Sequence, residues 1–159
     1  MKNRIIFLDI DGVLNSVAYD RVRTAKQTNI DQTRLPLLQG LVDDTQAILI
    51  LSSSWRKHWS PDEAQCDRIG RELNRIFAEY GMVISGKTPQ RPDGDRAGEI
   101  SDWLACHGGI ASVSFVILDD APFGWGLLQD HLVRTDARIG RGLEDRHIRK
   151  AVEILCRDS

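Results

Sequence analysis

The sequence predicts an α/β domain in which a mostly parallel sheet of about five strands lies between layers of helix, a Rossmann-like three-layer sandwich without a large cap domain. Three observations lead there. Residues 4–8, 47–51 and 114–118 are apolar runs with no alternation of polar and apolar positions, as expected of strands covered on both faces. Between them, apolar residues recur at helical spacing, so strands and helices alternate along the chain. Each run also breaks off in polar residues: Asp9-Ile10-Asp11-Gly12, Ser52-Ser53-Ser54 and Asp119-Asp120. Ligands of open α/β sheets collect outside the carboxyl ends of the strands, so chemistry is expected at these tips.

The 159 residues are expected to form one domain, spanning 1–159 and long enough to bury a sizeable core. Hydrophobic residues make up 42% and charged residues 28%, which argues against disorder. A formal net charge of -2 gives no global attraction to nucleic acid, so any polyanion would need a local basic patch. No apolar run is long enough to span a bilayer, and acids interrupt the N-terminal one, so neither a membrane span nor a signal peptide is expected and a cytoplasmic location follows by default. Cys66, Cys106 and Cys156 are odd in number and widely spaced, which disfavours a disulfide framework or a zinc site; they are expected to be reduced, buried and inert.

Taken in order, residues 4–8 form the first strand, and Asp9 and Asp11 share a parity that places them on one side of it. Taken alone, the motif fits equally a helix cap and a tight turn at Gly12. A calcium loop is disfavoured because Val13 and Leu14 follow where further oxygen ligands belong. Residues 16–33 are polar, with Tyr19, Arg21, Arg23, Lys26 and Asn29, and read as a loop or short helix crossing the mouth of the site. Leu35, Leu38, Leu41 and Val42 predict a helix that ends at Asp43-Asp44-Thr45. The second strand, 47–51, runs into three serines followed by Trp55, Arg56 and Lys57, which fits a phosphate cradle or a plain polar turn.

Ser60-Pro61-Asp62-Glu63 predicts a helix start with a capping box, and the helix runs on through Ile69, Leu73, Ile76 and Phe77 to Gly81. Residues 82–84 predict a short strand and 86–95 a loop rich in turn formers. Arg96 opens a helix carrying Ile100, Trp103 and Leu104 and stopped by Gly108-Gly109. A cation at a helix start opposes the helix dipole, which points to another use for Arg96, such as pairing with a phosphate or with acids at neighbouring strand ends. After the strand at 114–118, residues 131–135 predict an edge strand, 136–142 a solvated loop, and Glu144 onward a final helix with Ile148, Val152 and Leu155 inward.

Two strands of one sheet ending in carboxylates is costly unless a cation neutralises them. Asp9, Asp11, Asp119 and Asp120 therefore predict a site for a hard divalent ion, Mg²⁺, since zinc would want His or Cys and none lies in these motifs.

The order Phe-Leu-Asp-Ile-Asp-Gly-Val-Leu-Asn, then a strand ending in serines, a basic residue opening a helix, and Ile-Leu-Asp-Asp resembles the haloacid dehalogenase-like (HAD) phosphohydrolase superfamily. The details Ser-Ser-Ser-Trp-Arg, Gly-Lys-Thr-Pro and Arg-Ala-Gly-Glu-Ile-Ser-Asp-Trp-Leu are similar to the small HAD domains of Swiss Army Knife RNA repair proteins. The resemblance implies that Asp9 is a nucleophile forming a phosphoaspartyl intermediate and that Asp11 is the general acid and then the base. It implies that Asp9, the backbone carbonyl of Asp11, Asp119 and Asp120 hold Mg²⁺. Ser53 matches the phosphate-binding hydroxyl, with Ser52 and Ser54 as competitors. Arg96 matches the cation that pairs the phosphoryl group, with Lys87 as competitor, because the family position is usually Lys. Backbone N–H groups beyond Asp9, at Gly12 among others, would bind phosphoryl oxygens, as would Arg56.

The expected function is thus a Mg²⁺-dependent phosphatase acting on a phosphomonoester, with an open site suited to a phosphorylated nucleic-acid end. Arg21, Arg23, Lys26, Arg56 and Lys57 would contact the backbone and Trp55 and Trp59 would stack. Equally, those charges are a solvated surface and the tryptophans core. The alternatives are a small-molecule phosphomonoesterase that borrows a lid from a second subunit, and a non-catalytic Mg²⁺-responsive binding module. Oligomeric state is not legible.

Overall fold

A computed structural model describes residues 2–157; residues 1, 158 and 159 of the expected domain lie outside it. Five strands, β1 (Asn3–Leu8), β2 (Ile48–Leu51), β3 (Ile84–Lys87), β4 (Val113–Asp119) and β5 (Leu132–Arg134), form one sheet in the order β3-β2-β1-β4-β5. Every pairing is parallel. The helices are α1 (Val17–Val22), α2 (Leu35–Thr45), α3 (Arg68–Glu79), α4 (Arg96–Cys106) and α5 (Asp145–Leu155). This is the expected Rossmann-like sandwich, and among the described residues no insertion is large enough to be a cap.

Side-chain alternation along the strands builds two cores. Ile6, Leu8, Leu49, Leu51, Val116 and Leu118 face α2, α3 and α5, whose Leu38, Leu41, Phe77 and Ile154 bury against them. Ile5, Phe7, Ile50, Phe115 and Ile117 face the other way, onto Ile100, Trp103 and Leu104 of α4 and onto Trp125 and Leu128. Phe7 anchors this second layer edge-on between Trp103 at 5.3 Å and Phe115 at 5.8 Å. Because both faces are covered, the strands need no polar side, which is why they read as unbroken apolar runs. The chain winds from β1 outward through β2 to β3, then crosses back to β4 and β5. The direction of winding reverses between β1 and β4, and that is where an open α/β sheet leaves a crevice at its carboxyl edge.

The differences from the sequence reading are local. Ser60-Pro61-Asp62-Glu63 does not start α3. Asp62 instead caps a single 3-10 turn, Glu63–Gln65, and α3 begins at Arg68 behind Asp67, whose carboxylate accepts from the N–H groups of Ile69 and Gly70. Asp67 wins because two backbone donors converge on it, while the Ser60 backbone is tied through its N–H and carbonyl to Cys66 Sγ. Strand β3 lies later than expected and includes Gly86 and Lys87, paired with Ile50 and Leu51. Of the cysteines, all free, only Cys66 is buried; Cys106 is exposed, on the solvent side of α4. Among the described residues no helix is long and apolar enough to cross a membrane.

Candidate active site

The strand register assembles the site. Leu8 pairs with Leu51 on one side and Leu118 on the other. The ladder continues one step further, as Asp9 N–H donates to Leu118 O at 3.0 Å and Ser52 N–H to Leu8 O at 2.8 Å. Asp9, Ser52 and Asp119 are therefore neighbours across three strands. By alternation they continue the face of Phe7, Ile50 and Ile117, the one covered by α4. The N-terminus of α4 overhangs that row, and Arg96, its first residue, reaches down into it.

Arg96 lies 3.0 Å from Asp9 Oδ2 and 2.8 Å from Asp119 Oδ2, so one guanidinium nitrogen bridges two carboxylates from adjacent strand tips. The unfavourable cation at a helix start is thus explained by what it faces. Asp9 Oδ1 accepts from Ile10 N–H at 2.8 Å, and Asp119 Oδ1 from Ala121 N–H at 2.9 Å. Asp9 and Asp119 are buried, Asp120 is partly so, and carboxylate oxygens of all three lie within 4.8 Å of one another. Gly12 makes room for this. Its φ is +83°, and a Cβ there would collide with the Asp120 carboxylate, so only glycine permits both the turn and the acid. Thr135 closes the turn by donating to Gly12 O at 2.7 Å.

The cleft above these residues has a volume of about 550 Å³, and its walls carry Asp9, Asp11, Asp95, Asp119 and Asp120 against, among the described residues, a single cation, Arg96. That imbalance shows in the titration of its groups. Burial, then the Asp119 charge, push the Asp9 carboxyl from 3.8 up to about 8, with Arg96 only partly opposing them. Burial and Asp119 likewise raise Asp120. Arg96 is held above its ordinary range, since Asp9 and Asp119 outweigh the burial that works against its charge. Oxygen-only donors, mutually repelling and two of them buried, are the chemistry of a site for a hard divalent cation. Asp9, Asp119 and Asp120 fit such an ion.

Asp11 lines the same cleft but is exposed, beyond the end of β1. Its Oδ1 accepts from Asn15 Nδ2 at 3.0 Å and its Oδ2 from Trp55 Nε1 at 3.2 Å. Neither partner was singled out for this in the sequence, because nothing local links position 11 to 55. The three serines separate by parity. Ser52 faces the Asp9 side, and its buried Oγ has no hydrogen-bond partner among the described residues. Ser53 faces away, with its Oγ accepting from Trp55 N–H as the cap of a 3-10 turn, Ser54–His58. Ser54 is exposed on the cleft wall.

The structure does not bring Arg56 and Lys87 into the cleft. The Arg56 guanidinium is buried, forked onto Glu99 of α4 at 2.9 and 2.8 Å and bonded to Thr88 Oγ1 at 3.1 Å. Lys87 donates to the carbonyls of Arg56 at 2.9 Å and Trp59 at 2.5 Å, bracing the loop after β2. Trp59 is core, bonded to Asn74, whereas Trp55 is only half-buried. Phe123, unremarked in the sequence, stands 86% exposed on the cleft rim.

The family model described as "HAD domain in Swiss Army Knife RNA repair proteins" matches residues 5–148 of the chain. No curated protein and no solved structure matches it.

Proposed function

The chain belongs to the family of HAD domains found in Swiss Army Knife RNA repair proteins, and from that premise we propose that it is a Mg²⁺-dependent phosphatase acting through a phosphoaspartyl intermediate on Asp9. Family membership itself speaks for a phosphatase-type hydrolase. The observation that supports the finer reading is the row of Asp9, Ser52 and Asp119 across three strand tips, with Arg96 bridging the two acids.

Asp9, Asp119 and Asp120 would hold a divalent ion, which would supply the positive charge that lets an anionic nucleophile meet an anionic phosphoryl group. An Asp9 oxygen attacks phosphorus as the ester oxygen leaves. Asp11, tethered by Asn15 and Trp55 but open to the cleft, gives that oxygen its proton. It then takes a proton from the water that attacks the acyl phosphate, releasing inorganic phosphate and restoring Asp9. Arg96 pairs with the equatorial phosphoryl oxygens, turning from the carboxylates it bridges in the free protein. Ser52 donates its otherwise unpartnered hydroxyl to the same group, a role that fits it better than Ser53.

The cleft is open, and its rim carries an exposed aromatic ring, so a substrate with its own ring, a nucleotide or a phosphorylated nucleic-acid end, is favoured over a small aliphatic phosphate. Hydrolysis of an aryl phosphate with and without Mg²⁺ tests the activity. Turnover that needs the ion and falls at least ~1,000-fold in Asp9→Asn supports the reading. Turnover near wild type in that variant removes Asp9 as nucleophile, and complete inactivity of the wild type favours a non-catalytic binding module.

A further inference from the structure

A second cavity of about 620 Å³, walled in part by Trp55, lies between the loop 25–30 and the first turns of α3. Its floor is apolar, with Ile30, Leu73 and Ile76, and one wall is the half-buried Trp55. Its mouth is basic. Lys26 comes from the loop and Arg68 from the start of α3, both exposed, and neither forms a hydrogen bond or salt bridge among the described residues. Two other polar groups in the lining are already engaged: Arg75 holds the Glu72 carboxylate through a pair of hydrogen bonds, and His58 is bonded to Asp67 at 2.5 Å. Glu72 still depends on Arg68 for part of its electrostatic environment, but the lining keeps an excess of positive charge.

The indole that walls this cavity is the same one that donates to Asp11 at 3.2 Å. Trp55 thus links the second cavity to Asp11 on the wall of the acidic cleft. We propose that the second cavity is a binding site for the nucleotide adjacent to the phosphorylated end of a single-stranded nucleic acid. The base lies against Trp55 over the apolar floor, and Lys26 and Arg68 take the connecting phosphate. This extends the phosphatase reading and rests on it for the direction of the strand, but binding in the cavity needs no reaction. An apolar slot with an aromatic wall and a cationic mouth matches a base and its backbone charge, which is how sequence-tolerant single-strand sites are built. Apart from Arg96 the cleft walls carry acids, so the gain in affinity from a longer substrate has to come from outside it.

Two measurements test this. The first is fluorescence anisotropy of a labelled, unphosphorylated oligonucleotide of six residues, which cannot be turned over, against wild type and Lys26→Ala/Arg68→Ala. The double variant is expected to bind about tenfold more weakly, with the slope of log K against log salt reduced by about 0.7 for each contact removed. The second compares kcat/KM for phosphorylated mono- and dinucleotides. Wild type is expected to prefer the dinucleotide about tenfold, through KM, and the variant to lose that preference. Equal oligonucleotide binding by both proteins, or a dinucleotide preference that survives in the variant, overturns the proposal and leaves the phosphatase reading standing. Absence of turnover on every phosphate, with binding that still depends on Lys26 and Arg68, refutes the phosphatase reading and leaves the binding site standing. Oligonucleotide that fails to bind wild type at all refutes the site and assigns the basic mouth to another kind of partner.

Discussion

Replacing the proposed nucleophile is expected to make the metal-free protein more stable. Asp9 is buried, its carboxyl is raised to about 8 by burial and by Asp119, and Arg96 offsets only part of the strain. In the unfolded chain the same carboxyl titrates near 3.9, so between about pH 4 and 8 unfolding releases a proton and stability falls as pH rises. At pH 7 the difference is about three pH units, or roughly 4 kcal/mol as an upper limit, since water entering the open cleft and movement of Arg96 both relieve it. Asn has nearly the same shape, no charge and no titration. Arg96 keeps Asp119 at 2.8 Å, so Asp9→Asn leaves the guanidinium paired. In EDTA the variant is expected to melt up to about 10 °C above wild type at pH 7, with the gap closing toward pH 4, where Asp9 is neutral in the folded protein and only about half ionised in the unfolded chain. Saturating Mg²⁺ narrows the gap, because an ion at 100 times its Kd adds about 2.7 kcal/mol to the chain that can bind it and less to one lacking a ligand. Melting curves from pH 4 to 8, with EDTA and with Mg²⁺, decide this. Asp9→Asn no more stable than wild type at pH 7 in EDTA, or a gap that persists at pH 4, refutes the picture of a site strained by unneutralised acids.

Ser52→Ala is expected to reduce turnover about tenfold or more with little change in melting, as its hydroxyl has no partner to lose, whereas Ser53→Ala should cost about 1 kcal/mol of stability by removing a cap and spare turnover; the reverse pattern restores Ser53 as the phosphate ligand. Gly12→Ala drives a methyl group into Asp120 and strains a left-handed turn, so Mg²⁺ affinity measured by calorimetry should fall about tenfold or more; unchanged affinity would separate Asp120 from the metal. Arg56→Met strands Glu99 in the interior and is expected to cost about 3–5 kcal/mol in denaturant unfolding, with most of the loss recovered in Arg56→Met/Glu99→Gln. A stable Arg56→Met that has lost activity would return Arg56 to the substrate.

The sheet and the acidic tips were legible because they follow from rules of short range. A strand buried on both faces must be apolar throughout, and carboxylates at two such tips require a neutralising charge, so Asp9, Asp119 and Asp120 announce themselves. Arg96 was legible for a related reason: a residue that disfavours its own helix start has a partner elsewhere, and here the partners are Asp9 and Asp119. The choice among the serines was not legible. It depends on which residue of β2 stands opposite Leu8, and only the register, Leu8 with Leu51, puts Ser52 beside Asp9. The same holds for Trp55, which meets Asp11 across 44 residues of chain, and for Arg56, whose basic side chain looked free until Glu99 was brought beneath it by α4. Ser60-Pro61-Asp62-Glu63 shows the converse error, a sound local signal spent on one 3-10 turn because Asp67 offers a better-placed cap. Local chemistry therefore tells which charges cannot stand alone, and pairing between distant segments decides which of them end up together. In this chain the residues that fit the metal belong to the first kind, and those that would select the substrate belong to the second.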